Sequence, residues 1–575
     1  MVCANSEGDT PCTKAGSHAC QGCFLVAYCC KKCQSAHWEV HRRDCKSPLT
    51  RGTWEPSWVT ENRLPAYMSD VHGDASFGTR KYFWGDIPAI DVIQLGKNEG
   101  NGFKDPLDVL FAASGDMRNA ILSVVDLPKG YRGPLNILLN DKDIDIVARN
   151  AIFLLVFFVE ENPGVAAQFV LHIWYSAMIT DSCRNMLQDK IRPMVKDVCD
   201  KIMHQSKSTL FSKTWTFGTS SLQLVLTLEN WLSLLSYFNA PKGLSQDAAR
   251  RVRQETMSAP QRVDSIERMM CLMPPLARVG MAKFREDGIL VPFGQSRRDF
   301  TIPNPTLFRS ASEWPMMDNA DPMTGWPTKM FQKLDIGPAK NDAYGKLHYY
   351  LIRLFADFHS RLHSLPTNFE LRHLDAQLLP NHVSKHFDRI DVGHTTDDSC
   401  LGADKVLHKF APLLRPLGVN QHATLITLFI NAVPTMVVIR DEFLARFSHT
   451  DEIILSEIEL RRISLYMPEI AMERERPFNA NFTKVVQARR LILDMDEYFD
   501  GYMEVHDFVE LSKACGLRLK PKHSIIEPWP LKFPGGRPTK KAQGDFKALL
   551  ASLHTGEERY VEWKLATDNE AHEVE

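Results

Sequence analysis

Leu107–Asp116 reads LDVLFAASGD, an apolar run that stops at a Ser-Gly-Asp turn. A strand that is apolar on both faces has to be covered on both, which is the habit of parallel sheets packed between helices. A second run, Leu135–Asp141 (LNILLND), ends on Asn140-Asp141 and gives way to a helical pattern from Ile144. Two further strands are predicted at Phe369–Leu374 (FELRHL), ahead of Asp375, and at Arg389–Val392 within FDRIDVGH. Continuous apolar strands alternating with helices predict an α/β domain built on a parallel sheet.

Outward from these strands the chain divides by composition. Residues 84–160 form the first part of the α/β domain and 338–435 the second. Between them, 161–287 reads as a helical insertion with no clear strand, and 288–337 is loop-rich but too aromatic to be disordered. Residues 436–565 read as mostly helical, and 566–575 form an acidic tail. Residues 48–83 are a linker whose Trp54 and Trp58 are expected to dock on the globular region C-terminal to it. The longest apolar run, Ala151–Val159, is half of the ~20 residues a membrane span needs, so it reads as a buried helix and no membrane association is expected. A net charge of −2 gives no electrostatic case for nucleic acid. No HExxH is present, and no Ser-His-Asp, Cys-His or paired-carboxylate constellation can be assembled from linear spacing.

The first 45 residues hold eight of the thirteen cysteines. Cys20-x2-Cys23, Cys29-x3-Cys33 and His41-x3-Cys45 are six ligands in register, a pattern that Zn²⁺ explains because four such ligands close a tetrahedral structural site. A disulfide framework fits less well: no apolar signal segment precedes the cysteines, and the remaining five are scattered. The expectation is two structural zinc ions in a reducing, intracellular compartment, cytoplasmic or nuclear.

Tyr28-Cys29, Cys33-Gln34, His37-Trp38, His41 and Cys45 resemble the signature of the MYND zinc finger, here spanning 1–47. The resemblance implies interleaved sites, with Cys20, Cys23, His41 and Cys45 on one ion and Cys12, Cys29 and Cys33 on the other. Cys3 is taken as the fourth ligand of the second site, with Asp9 or His18 as alternatives. The family acts chiefly through protein partners, docking short proline-containing peptides. Trp38 and the strand-like Phe24–Tyr28 are the residues that could do so here. With its own zinc core, the finger is expected to unfold without disturbing the body.

The order of the four strands looks like a class I methyltransferase, which binds S-adenosylmethionine at the carboxyl ends of parallel strands. On that likeness Gly115, Asp116, Asp141 and Asp375 would line the cofactor site. The chain departs from the pattern in having only one glycine in AASGDMR and no proline-aromatic motif after the fourth strand. The likeness therefore implies a methyltransferase-like scaffold that has lost its cofactor. The alternative is an S-adenosylmethionine-dependent methyltransferase whose finger recruits substrate. Asn381-His382 and Gly556–Tyr560 imitate fragments of a SET methyltransferase, but the cysteine and Pro-Asn pair of that motif are missing. WGDIPAID (Trp84–Asp91), LFAASGDMRN, LLNDKDIDIVARN, GPAKNDAYGKL and FDRIDV resemble a group of fungal proteins with an N-terminal MYND finger. In that group the finger precedes a domain of unknown function similar to the N-terminal region of an axonemal dynein assembly factor.

Overall fold

The structure, a computed structural model, describes residues 1–7, 11–69, 77–440, 457–468, 470, 479–492 and 494–567. In chain order its strands are β1 (His18–Ala19), β2 (Ala27–Tyr28), β3 (Leu107–Phe111), β4 (Leu135–Asp141) and β5 (Met178–Ile179). Next come β6 (Leu210–Phe217), β7 (Ser220–Thr227), β8 (Ile302–Pro303), β9 (Thr367–His373), β10 (Arg389–Asp391), β11 (Thr424–Phe429), β12 (Leu517–Leu519) and β13 (Arg559–Leu565). Nine of them form one mixed sheet in the order β12-β13-β11-β10-β3-β4-β9-β7-β6. Every neighbouring pair from β11 across to β7 is parallel. β13 runs antiparallel to both β11 and β12, and β6 antiparallel to β7.

The two faces of β3 explain its unbroken apolar run. Val109 and Phe111 enter a core shared with the helices Ile144–Val159, Pro163–Tyr175 and Ala343–Ser364. Leu110, between them, points the other way, into a second core with Val406, Leu407 and Phe410 of the helix Ala403–Phe410. Each such side chain contributes about 1.5–3 kcal/mol by leaving water. The helix Ile144–Val159 starts at Asp143, whose carboxylate caps it by accepting Asp145 N–H at 2.9 Å. At about 1.5 Å per residue its sixteen residues span roughly 24 Å, short of a ~30 Å hydrocarbon core. No helix among the described residues is long and apolar enough to cross a membrane.

With the β6–β7 hairpin set aside as an insertion at one edge, β3, β4, β9, β10 and β11 are strands one to five in chain order and lie in the spatial order 3-2-1-4-5. Strand order therefore reverses between β3 and β10, and in open α/β sheets the crevice at the carboxyl ends beside such a reversal is where ligands bind.

Two expectations need correcting. The insertion 161–287 is not free of strands, since it contributes the β6–β7 hairpin to the sheet. Leu222, Leu224 and Leu226 alternate with half-buried residues along β7, a period of two; Leu222 and Leu226 also satisfy helical i, i+4 spacing, which masks it. The stretch 436–565 is likewise not only helical, because it supplies β12 and β13. β11, a strand not among the four predicted, is buried along all six residues (TLITLF), and an apolar run that short has no periodicity to distinguish strand from helix.

The loop-rich 288–337 is tied to the body. Asn304 donates its side-chain amide to the Ile173 and Ser176 carbonyls at 2.9 and 2.8 Å, and the Arg149 guanidinium reaches the Thr306 and Trp174 carbonyls, each at 2.9 Å. In the linker, Trp58 is fully buried and Trp54 lies under the Arg278 guanidinium at 4.6 Å. Of the acidic tail, 568–575 lie outside the described residues.

Candidate functional site

The N-terminal 45 residues fold around their cysteines. β1 and β2 pair antiparallel, with His18 opposite Tyr28. Between them Cys20 and Cys23 lie on a tight turn closed by Phe24 N–H to the Cys20 carbonyl at 2.8 Å, and Phe24 carries a positive φ of 55°. The helix Lys31–Cys45 places Cys33 in its first turn and presents His41 and Cys45 together at i, i+4. A bridge from Val2 to Ala15 folds the first residues back and brings in Cys3, which is fully buried.

Two four-residue clusters result: Cys3, Cys12, Cys29 and Cys33, and Cys20, Cys23, His41 and Cys45. Within each, the ligand atoms all lie within 4.8 Å of one another. Sγ separations are 3.6 Å for Cys12–Cys29, 3.5 Å for Cys29–Cys33 and 3.7 Å for Cys20–Cys45, and Cys23 Sγ stands 3.4 Å from His41 Nε2. A tetrahedral ion with Zn–S bonds of about 2.3 Å requires roughly 3.8 Å between sulfurs, whereas a disulfide requires about 2.05 Å. The clusters therefore fit two zinc ions. Burial pushes the His41 imidazole down to about 4, leaving it neutral and able to ligate, and pushes the Cys23 thiol up. A cation is what would ionise such a thiol. Leu25 N–H donates to Cys23 Sγ at 3.4 Å, the kind of outer contact that orients a ligand. Cys30 is exposed and belongs to neither cluster, and His37 instead shares a 3.0 Å hydrogen bond with the Tyr28 hydroxyl. Asp9 lies outside the described residues, and His18 is exposed, hydrogen-bonded to the Ser17 hydroxyl at 2.9 Å.

The finger's core is separate from the main core of the body but takes in two side chains from it. Cys23, Leu25, Val26 and Tyr28 pack in one cluster with Val279 and Phe293 of the body. Asn341 donates its side-chain amide to the Cys23 carbonyl at 2.9 Å and its backbone N–H to the Phe24 carbonyl at 3.1 Å. Lys340 lies over the Phe24 ring at 4.5 Å. A Cβ on Gly294 would come within 2.9 Å of the Ala4 side chain, so the approach admits only glycine without rearrangement. Two expectations meet this contact: the finger packs on the body instead of standing apart from it, and within Phe24–Tyr28 the four residues Leu25 to Tyr28 are buried, which corrects their reading as a peptide-docking strand. Trp38 is half-buried, edge-on to His41, with Lys46 5.8 Å from its ring centre. Asn341 and Phe293 left no signal in the sequence, being some 300 residues away from the surface they hold.

At the carboxyl end of the sheet the four residues expected at a cofactor site are only partly brought together. Gly115, in the left-handed region at φ 54°, donates its N–H to Asp141 Oδ2 at 2.9 Å. Asp141 Oδ1 accepts Asp143 N–H at 2.8 Å, so both carboxylate oxygens bind backbone, and burial raises this carboxyl above the usual range. Asp116 turns inward to a buried ion pair with Arg118, Oδ2 to Nε 2.6 Å. Arg118 in turn donates to the Ile87 carbonyl at 2.6 Å and to that of Gly325. Asp375 accepts Gln377 N–H at 2.9 Å within its own turn. Asn140 has a structural role beside them, tying together the two strands that flank β4: its amide donates to the Ala112 and Leu374 carbonyls at 2.8 and 3.0 Å.

Comparison with known families places a MYND finger at residues 9–45 and a domain of unknown function, DUF4470, at residues 83–179. The finger match begins past Cys3, so geometry alone brings that residue to the site. No curated protein and no solved structure matches the chain.

Proposed function

We propose that this chain is a zinc-dependent protein-interaction or scaffold factor in which a methyltransferase-like body, without cofactor chemistry, holds a MYND finger in fixed orientation. Cys3, Cys12, Cys29 and Cys33 hold one Zn²⁺, and Cys20, Cys23, His41 and Cys45 the other. Both sites then have four protein ligands and no open position, so the metal is structural. The observation that carries the reading is the docking of the finger: the Asn341 hydrogen bonds and the shared core with Val279 and Phe293 make it part of a rigid surface. The partner is a protein, engaged through a proline-containing peptide at Trp38, which is half-exposed on the helix Lys31–Cys45. Cysteine thiolates serving as zinc ligands agree with a reducing compartment, cytoplasmic or nuclear. A panel of proline-containing peptides titrated against zinc-loaded protein tests the peptide docking: binding should fall at least about tenfold in Trp38→Ala. Peptides that bind Trp38→Ala as well as wild type would remove the finger from the reading.

A second reading, an S-adenosylmethionine-dependent methyltransferase, is favoured by the 3-2-1-4-5 strand order and by a carboxylate at the end of β4. Against it stands Asp141, whose oxygens already serve Gly115 and Asp143. Calorimetry of S-adenosylmethionine binding decides: micromolar affinity that is lost in Asp141→Ala would make the protein an enzyme candidate, and silence at millimolar ligand leaves the scaffold.

A further inference from the structure

β6 ends the nine-stranded sheet, and among the described residues nothing pairs with its outer side. Its eight residues match β7 without a bulge, and the turn between them is Gly218-Thr219, with Gly218 at φ 60°. So short a turn makes Phe217 and Ser220 a hydrogen-bonded pair, so Phe217, Trp215, Lys213 and Phe211 spend their backbone groups on β7. By alternation the N–H and C=O groups of Thr216, Thr214, Ser212 and Leu210 point outward, and all four residues are exposed. At the other edge of the sheet β12 has three residues. Native sheets shorten, bulge or interrupt an edge with proline, because a long open edge recruits another strand. β6 is long, unbulged and free of proline, and its one charge, Lys213, lies 6.0 Å from the Trp215 ring centre.

The strand is also complementary to itself. Only outward-pointing groups can bond across the edge, so two antiparallel copies of β6 must place one residue on a two-fold axis. The two longest overlaps lay Leu210–Thr216 against itself, with the axis at Lys213, or Phe211–Phe217 against itself, with the axis at Thr214. The first sets Lys213 directly opposite its own copy, and like charges so placed are destabilising. The second sets Phe211 opposite the partner's Phe217, Lys213 opposite the partner's Trp215, and Ser212 opposite the partner's Thr216. Aromatic, cation–aromatic and hydroxyl pairs are the cross-strand combinations that stabilise a sheet. The rings are already held by the body: Phe217 stacks on Phe158 at 4.7 Å and Trp215 meets Trp231 at 6.0 Å. Both remain half-buried, so a second strand would complete their cover.

We propose that β6 pairs antiparallel with β6 of a second copy of this chain, about a two-fold axis at Thr214, joining the two sheets edge to edge. The test is sedimentation velocity on full-length, zinc-loaded protein at about 1–100 µM. A species of twice the 65.4 kDa chain mass should build up with concentration. A 65.4 kDa species alone at about 100 µM overturns the proposal and leaves the edge to a strand of another protein. Thr214→Pro removes the N–H at the axis in both copies without touching a bond to β7. The dimer should weaken at least about tenfold in this variant, with the thermal midpoint retained. An unchanged dimer overturns the proposal, because the contact then lies elsewhere. Should Thr214→Pro lower the midpoint, Thr214→Lys and Thr214→Glu carry the test. Each alone should weaken the dimer about threefold, and their equimolar mixture should associate at least about threefold more tightly than either. A mixture no tighter than the separate variants overturns the proposal.

Discussion

The finger and the carboxyl corner of the sheet treat their polar groups in opposite ways. In the finger, eight ligand atoms fall into two clusters, each with its members within 4.8 Å of one another, and what they face in common is a centre. In the corner the carboxylates face the protein: Asp141 serves Gly115 and Asp143, and Asp116 serves Arg118. A site built for a ligand leaves donor capacity that the chain itself does not consume, whereas groups already satisfied are structure. By that criterion Asp116 and Asp141 hold the corner together, at a reversal of strand order of the kind where other open α/β sheets bind ligands.

The largest effect should come from Cys23→Ser. The variant should retain one zinc ion instead of two, measurable by metal analysis, since a structural site supplies about 10–16 kcal/mol in isolated zinc-finger peptides. Because Cys23 packs with Val279 and Phe293, hydrogen exchange should also accelerate in Leu276–Phe293 and around Asn341. Full protection there, with one zinc missing, would break the claim that finger and body share a core.

Acid separates the two regions by a known sign. Burial alone, without zinc, holds the His41 imidazole at about 4 against an ordinary 6.5, and zinc on the ring would lower it further, so the unfolded chain binds more protons between those values. The stability it contributes is complete above pH 6.5 and is lost as pH falls through about 4, and protons competing for the thiolates act in the same direction. In the body, His172 is held down to about 3 and His348 to about 4 by complete burial, with the same sign. With thiolate protonation added only in the finger, zinc release on acid titration should precede loss of the body's near-ultraviolet circular dichroism. Simultaneous transitions would mean that the body sets the acid limit of both.

Legibility in the sequence tracks the range of the interactions. Cys20 to Cys45 are close enough in the chain for spacing alone to declare a metal site, and β3 and β4 announce themselves because both their faces are buried. The hairpin β6–β7 and the strands β11 to β13 did not. β13 reaches its partner β11 only after some 130 residues, and its interior carries Glu562, fully buried but held by Lys520 at 2.7 Å and by Ile525 N–H at 2.8 Å. A charge in the middle of a strand reads as a surface position until its partner is in view. Arg118 hid the fate of Asp116 in the same way: AASGDMR reads as a ligand-binding turn, and only the fold shows that the acid two residues before the arginine is consumed by it.

Asp116→Ala is therefore the sharper probe of the corner. Removing one member of a buried pair strands the other, and Arg118 is largely buried, so a loss of about 3–5 kcal/mol is expected in chemical denaturation. If Asp116 were a ligand residue, the variant would keep its stability and lose only binding. A thermal midpoint unchanged from wild type would put the corner on the finger's side of the comparison.

The smallest effect tests how the two regions are joined. Asn341→Ala deletes the side-chain amide that meets the Cys23 carbonyl and leaves the backbone bond to Phe24 in place. One hydrogen bond is worth about 1 kcal/mol, or somewhat more where the carbonyl is left buried and unpaired. Global stability should drop by that amount at most, and both zinc ions should stay bound. Exchange of the Cys20–Phe24 turn should nevertheless quicken, because that turn is held by its own two backbone bonds and by Asn341. A turn that keeps its protection would show that the zinc cluster alone fixes the finger, with the body contributing contact but no order.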